Sequence, residues 1–201
     1  MHSCRSLILT VIIIIVVLAG GCISSAPSSP VSPAPSKPAD QGASSTAPPG
    51  AFSIRAASLV PGSVLPDVYT CKGTSESPEV TWDGVPAGTK SLALILDDPD
   101  ASGGRFTHWL VFNIPPDSRG LPRAQPNAKV LTNGAQQGET SGGSRGYYPP
   151  CPPIGTSHRY VFRLYAVDMD ITQPTADRDS IDWALTDHTI AKTEFTTTFK
   201  R

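Results

Sequence analysis

Charge is sparse in this chain and balanced almost to zero. It has 16 Lys and Arg against 17 Asp and Glu, a formal net charge of −1 in 201 residues. Such a balance creates no broad field to draw in nucleic acid, so an anionic ligand has to be held by local groups. No internal repeat appears, which sets aside solenoids and arrays. The four cysteines and four histidines show neither CxxC nor HxxxH, so no clear metal-ligand spacing is present. Only one long apolar run exists, Leu7 to Leu18, and it falls short of the roughly 20 residues of a transmembrane helix.

What that run does offer is an export signal. Arg5 precedes "LILTVIIIIVVLAGGC", residues 7 to 22, giving a positive start, a short apolar core and small residues before a cleavage point. "LAGGC" resembles a lipobox, with Cys22 as the lipid-modified first residue of the mature chain. Residues 1–21 are then the signal, and an uncleaved membrane anchor is the alternative. Both place the rest of the chain outside the cytoplasm, tethered to a membrane. Residues 22–50 are almost entirely Ser, Pro, Ala and Gly. They have no apolar period to bury and read as a solvated, extended spacer.

Residues 51–201 have the length of one domain with a real core. Cys71 and Cys151 are the cysteines left in it, and an oxidising compartment makes a disulfide between them the expectation. The domain reads as mostly β. "SLALILDD" (91–98) is a short continuous apolar run, the pattern of a strand buried on both faces. "THWLVFNIP" (107–115) and "HRYVFRLYAVD" (158–168) are two more strands, with others near 52–59 and 79–90. Residues 115–157 form a long polar loop rich in Gly and Pro, and loops of that length are usually functional or mobile. A single helix is expected over about 180–193, capped by Asp179 or Ser180. Ile181, Ala184, Leu185, His188 and Ala191 fall on one face of it, making His188 a core histidine.

If the strands 91–98 and 107–115 pair antiparallel through their short loop, the end of one lies beside the start of the other. Asp98, Asp100 and His108 then gather at one sheet edge. Residues two apart on a strand share a face, so His158 and Tyr160 join them if the third run enters from the same side. The stiff "PPCPP" (149–153) lies beside them in sequence; prolines lose little entropy on ordering and suit a pocket wall. Three chemistries fit such a cluster. Two histidines and a carboxylate can bind a metal, and Cys151 with His158 can form a nucleophile and base. Histidines, a tyrosine hydroxyl and loop N–H groups can cradle an anion. A disulfide removes the thiol nucleophile and no metal spacing is seen, so the anion cradle fits best, by elimination.

"DDPDA" (97–101), "THWLVFNIP" (107–115) and "PPIGTSHRYVF" (152–162) resemble the phosphatidylethanolamine-binding protein family, in its bacterial and archaeal, Raf kinase inhibitor-like branch. "YTCKGTSESPEVTWDGVPAGTKSLALIL" (69–96) is similar to the same branch. The resemblance implies a large antiparallel sheet packed on a smaller one, with short helices including one near the C-terminus. It implies a small pocket for phosphate or phosphate-like anions, with no cofactor and no catalysis. Matched motif by motif, its lining falls on Asp98, Asp100, Phe106, His108, Pro152, Pro153, Gly155, His158 and Tyr160. Ser102 stands where the family's "DPDAP" ends in proline, and Pro149 and Cys151 stand where eukaryotic members have glycines. The expected partners are a small anionic ligand and, through Cys22, a membrane, but not nucleic acid. Both histidines are expected to donate to the anion, so that binding weakens as pH rises past about 6.5. The main rival is an inhibitor of an extracytoplasmic peptidase or kinase-like enzyme, acting through the 115–157 loop on an unknown protein target. A hydrolase using Cys151 or a metal is a third reading.

Overall fold

Ser91–Asp98 forms strand β3, every residue of it buried, at the centre of a five-stranded antiparallel sheet. This computed structural model describes residues 50–173 and 175–201; the signal, the Cys22 lipid site and nearly all of the spacer lie outside the described residues. Around β3 stand β4 (Phe106–Ile114), β6 (Gln136–Gln137), β7 (Ser157–Val167) and β8 (Thr189–Lys200), in the order β6-β4-β3-β7-β8. A smaller antiparallel sheet has the order β1-β2-β5, from Ser53–Ala56, Val80–Asp83 and Gly120–Leu121. One helix, α1 (Arg178–Thr186), precedes the last strand. The mostly β fold read from the sequence is the fold observed.

The continuous apolar run of β3 is explained by what covers it. Successive side chains of a strand point to opposite faces. Leu92, Leu94 and Leu96 join a cluster with Ile54, Ala56, Val80 and Trp82 of the small sheet. Ala93 and Ile95 join a second cluster with Ile181, Ala184 and Leu185 of α1. Both faces are therefore dry, and a polar residue on either would face apolar neighbours. Phe162 of β7 and Phe195 of β8 are directly paired and stack with ring centroids 4.7 Å apart.

The helix is shorter than its sequence pattern. Asp177 is its N-cap, accepting from the Ser180 N–H at 2.8 Å, and it ends at Thr186. Thr189–Lys200 is instead a strand along the full length of β7. "TIAKTEFTTTFK" is rich in β-branched and aromatic residues, which favour a pleated surface; the pairing with β7 overrides the helical spacing of His188 and Ala191. His188 is accordingly not a core residue. It is half exposed, with Nδ1 2.8 Å from Asp168 Oδ1.

The 115–157 segment is tied to β4. Trp109 Nε1 donates to Gln137 Oε1 at 2.8 Å, and the Gln137 amide donates to the carbonyls of Pro126 and Ala128. Cys71 and Cys151 form the expected disulfide, with Cα atoms 5.4 Å apart and a sequence separation of 80.

Candidate functional site

The β3–β4 hairpin has the antiparallel register the sequence argument required: Asp98 pairs with Phe106 and Asp97 with Thr107. On the other side β3 pairs antiparallel with β7, Asp97 opposite Val161. The end of β3 thus lies between the starts of β4 and β7. Asp98, His108, His158 and Tyr160 come together there, only 3%, 4%, 8% and 0% exposed.

Each polar group has a defined partner except one. His158 Nδ1 sits 2.7 Å from Asp98 Oδ2, and Asp98 Oδ1 accepts from the Asp100 N–H at 2.8 Å. An ionised carboxylate accepts only, so Nδ1 of His158 carries a proton. His108 Nδ1 lies 2.8 Å from the Tyr148 carbonyl, which likewise only accepts. The rings pack closely: Phe106 to His108 is 4.7 Å between centroids, and His108 meets Tyr160 edge-on at 5.3 Å. The exception is the Tyr160 hydroxyl, which is buried and makes no hydrogen bond of ordinary geometry, although the Asp98 carboxylate lies near enough to act on it as an acceptor. Thr197, opposite Tyr160 in the β7–β8 register, also has a buried hydroxyl without a partner.

Burial is the leading electrostatic influence on both rings. It holds His108 below the ordinary histidine value, partly offset by the Tyr148 carbonyl and the charges of Asp98 and Asp97. It also pushes the Tyr160 phenol up, with Asp98 and Asp100 adding to the shift. At neutral pH Tyr160 is therefore a hydroxyl donor and His108 is neutral.

The Pro-rich loop is fastened on several sides. The Pro150 carbonyl accepts from the Cys71 N–H at 3.1 Å, beside the disulfide. Gly155 turns the chain with φ +86, a conformation costly for other residues. Its N–H donates to the Arg201 carbonyl at 2.9 Å, and Thr156 N–H to the Pro153 carbonyl at 3.0 Å. Pro152 is buried while Pro153 is exposed.

Asp100 has a different place from Asp98. Its carboxylate is clamped by Arg159, which donates from its backbone N–H and Nε at 2.9 Å each and from Nη2 at 2.6 Å. Those contacts hold its carboxyl pKa down at about 2. Asp100 thus braces the 99–105 turn against β7. The sequence reading missed Arg159 and Tyr148. Tyr148 acts through its carbonyl and through its ring, 5.4 Å from Phe106; its only signal was its position beside the prolines.

Two other chemistries can be weighed. Cys151 is in a disulfide, so it offers no thiolate nucleophile. The letters G-x-S-x-G, which the sequence was expected to lack, do occur at Gly142-Gly143-Ser144-Arg145-Gly146. That motif needs a strand-to-helix elbow, whereas Ser144 lies in an exposed turn with its hydroxyl 3.2 Å from Thr140 Oγ1. Two clefts lie elsewhere, of about 280 Å³ beside Arg105 and Arg178 and about 460 Å³ beside Arg119 and Arg123. Neither is lined by Asp98, His108, His158 or Tyr160.

Comparison with known proteins agrees with the fold. Residues 55–200 match the family model described as phosphatidylethanolamine-binding protein. A UPF0098 protein of Methanothermobacter thermautotrophicus is 46% identical over 139 residues, covering 68% of this chain and 91% of the relative. A Mycobacterium tuberculosis protein, provisionally named lipoprotein LppC, is 39% identical over 61% of this chain and 58% of its own length. The solved structure of Escherichia coli YbcL, described as a new member of the mammalian PEBP family, superimposes with a TM-score of 0.69 at 31% identity. It is covered over 98% of its length by 75% of this chain, so the matched region by itself corresponds to a complete folded chain.

Proposed function

The chain belongs to the phosphatidylethanolamine-binding protein family, and from that premise we propose that it is a non-enzymatic binding protein for a small anion or phosphorylated headgroup, working outside the cytoplasm and tethered to the membrane through Cys22. The observation that carries this reading is the Tyr160 hydroxyl. It is buried, unpartnered and set edge-on against His108 beside the Asp98–His158 pair. An unsatisfied buried hydroxyl costs about 1–3 kcal/mol, and a ligand oxygen accepting from it removes that penalty. The two histidines each have one ring nitrogen committed to the protein, which leaves the second of each for a ligand.

Export rests on independent support. The signal-like segment and "LAGGC" stand at residues 7–22, a relative carries a lipoprotein name, and Cys71 and Cys151 are paired as oxidising compartments permit.

The test is calorimetric titration of residues 50–201 with phosphate and with phosphoethanolamine. The His108→Ala/His158→Ala variant runs alongside, its folding checked by circular dichroism. Saturable binding to the wild type and none to a folded variant is the expected result. Binding that survives both substitutions would place the ligand elsewhere and remove the proposal.

A further inference from the structure

His108 has one nitrogen turned to a group that can only accept. The Tyr148 carbonyl sits 2.8 Å from Nδ1, so the proton of a neutral ring is on Nδ1 and Nε2 is a bare lone pair. Nε2 is the only other polar atom of that ring. For it to donate, the ring must carry a second proton. The expectation from the sequence, that both histidines donate to the ligand, therefore asks His108 to be an imidazolium inside a site where it is 4% exposed. Tyr160 beside it offers a hydroxyl donor. The site thus presents at least one donor and one acceptor side by side, and not a ring of donors.

We propose that the site selects an oxyanion that still carries an O–H, namely a hydrogen phosphate or the protonated form of a phosphate monoester, and rejects oxyanions without one, such as sulfate or a phosphate diester. This inference rests on the anion-binding reading above and specifies its ligand. The ligand's P–O–H donates to His108 Nε2, while a charged oxygen accepts from Tyr160. Sulfate has the same shape and no proton, so one of its oxygens would face the Nε2 lone pair with no hydrogen between them. Repulsion of that kind, with the ring's lone pair facing an oxygen in place of a donor, discriminates between the two anions.

The surroundings of His108 hold it neutral at neutral pH. Burial dominates, and the neighbouring His158 acts in the same direction; the charges of Asp98 on the site face and Asp97 on β3, with the Tyr148 carbonyl, oppose it. The other rings against it, Phe106, Tyr148 and Tyr160, carry no charge at neutral pH. Acidification eventually protonates Nε2 and turns it into a donor. Sulfate, which keeps its charge throughout, should then begin to bind.

The experiment uses residues 50–201, which contain both core clusters and correspond to a complete chain among the solved relatives. Inorganic phosphate, sulfate and dimethyl phosphate are titrated at pH 8 and near pH 5. At pH 8 phosphate is expected to bind at least about tenfold more tightly than sulfate or the diester. Near pH 5 the gap between phosphate and sulfate should narrow. A His108→Gln variant, whose amide can donate or accept, should lose the preference at pH 8. Nitrogen NMR of the wild-type phosphate complex at pH 8 should show Nε2 of His108 unprotonated, which keeps the test decisive if that variant does not fold. Sulfate binding as tightly as phosphate at pH 8, or a doubly protonated His108 in the complex, overturns the inference and leaves the anion site standing. Binding of none of the three at either pH removes both. Tight binding of the diester alone would assign the site to an intact phospholipid headgroup and also overturn the inference.

Discussion

Asp97 and Asp98 are neighbours on β3 that serve opposite faces of one sheet. Asp98 turns to the histidine site and holds His158 Nδ1 at 2.7 Å. Asp97 turns to the helix side, accepting from Thr107 Oγ1 at 2.9 Å, Arg163 Nη1 at 2.8 Å and Arg178 Nη1 at 2.5 Å. Arg178 is the first residue of α1, so Asp97 fixes the helix while Asp98 orients the His158 ring. The two substitutions should separate binding from stability. Asp97→Asn leaves two arginines without their buried counter-charge and should destabilise by about 3–5 kcal/mol. Asp98→Asn should weaken phosphate binding about tenfold or more, through one charge-assisted hydrogen bond, with a smaller loss of stability. Denaturant unfolding and calorimetry on both variants check this; the reverse pattern would contradict it.

The disulfide closes a loop that links the turn before Lys72 to the Pro-rich segment 149–153. With a sequence separation of 80 between the cysteines, the chain-entropy model gives a stabilisation of about 4 kcal/mol. Cys71→Ser/Cys151→Ser should lower stability by about that amount in urea unfolding. Unfolded wild-type protein without reductant should show no thiol from either position. A free thiol at Cys151 would reopen the nucleophile reading.

Two groups should titrate abnormally, and each lowers stability as pH falls through its own range. Asp100 is held to about 2 by Arg159. Its contribution is fully present above the ordinary value of 3.8 and lost as pH falls through about 2; the pair is largely solvent-exposed, so its effect on stability is small. Arg159→Ala should return Asp100 toward the ordinary value in a carboxyl-detected NMR titration. His108 lies below its ordinary 6.5 because it is buried. Below that pH the unfolded chain gains a proton the folded chain refuses, so stability falls as pH drops through 6.5 toward the folded value. A His108 resonance titrating above 6.5 in the free protein would contradict this.

Much of this could be read in the sequence, for physical reasons that also explain the gaps. β3, β4 and β7 were legible because a strand covered on both faces writes a continuous apolar run, and the short 99–105 connection dictates an antiparallel neighbour. That hairpin places Asp98 beside β4, and one further pairing brings in His158 and Tyr160. β8 was hidden because its alternating Thr, Lys and Glu carry little apolar signal, while Ile181, Ala184 and Leu185 extend by chance into a helical spacing through His188 and Ala191. The partner of His108 was hidden for another reason. It is a backbone carbonyl 40 residues away, and any residue type at 148 could supply it. Arg159, adjacent to His158, gave no sign that it would reach Asp100.

The most direct measurement of the central claim is Tyr160→Phe, assayed for phosphate binding and for stability together. The Tyr160 hydroxyl makes no hydrogen bond of ordinary geometry in the protein alone, with only the Asp98 carboxylate near it, so removing it should change stability little, while phosphate affinity falls about tenfold or more. Stability that falls with affinity unchanged would mean that the hydroxyl serves the fold and not a ligand, and would contradict the account.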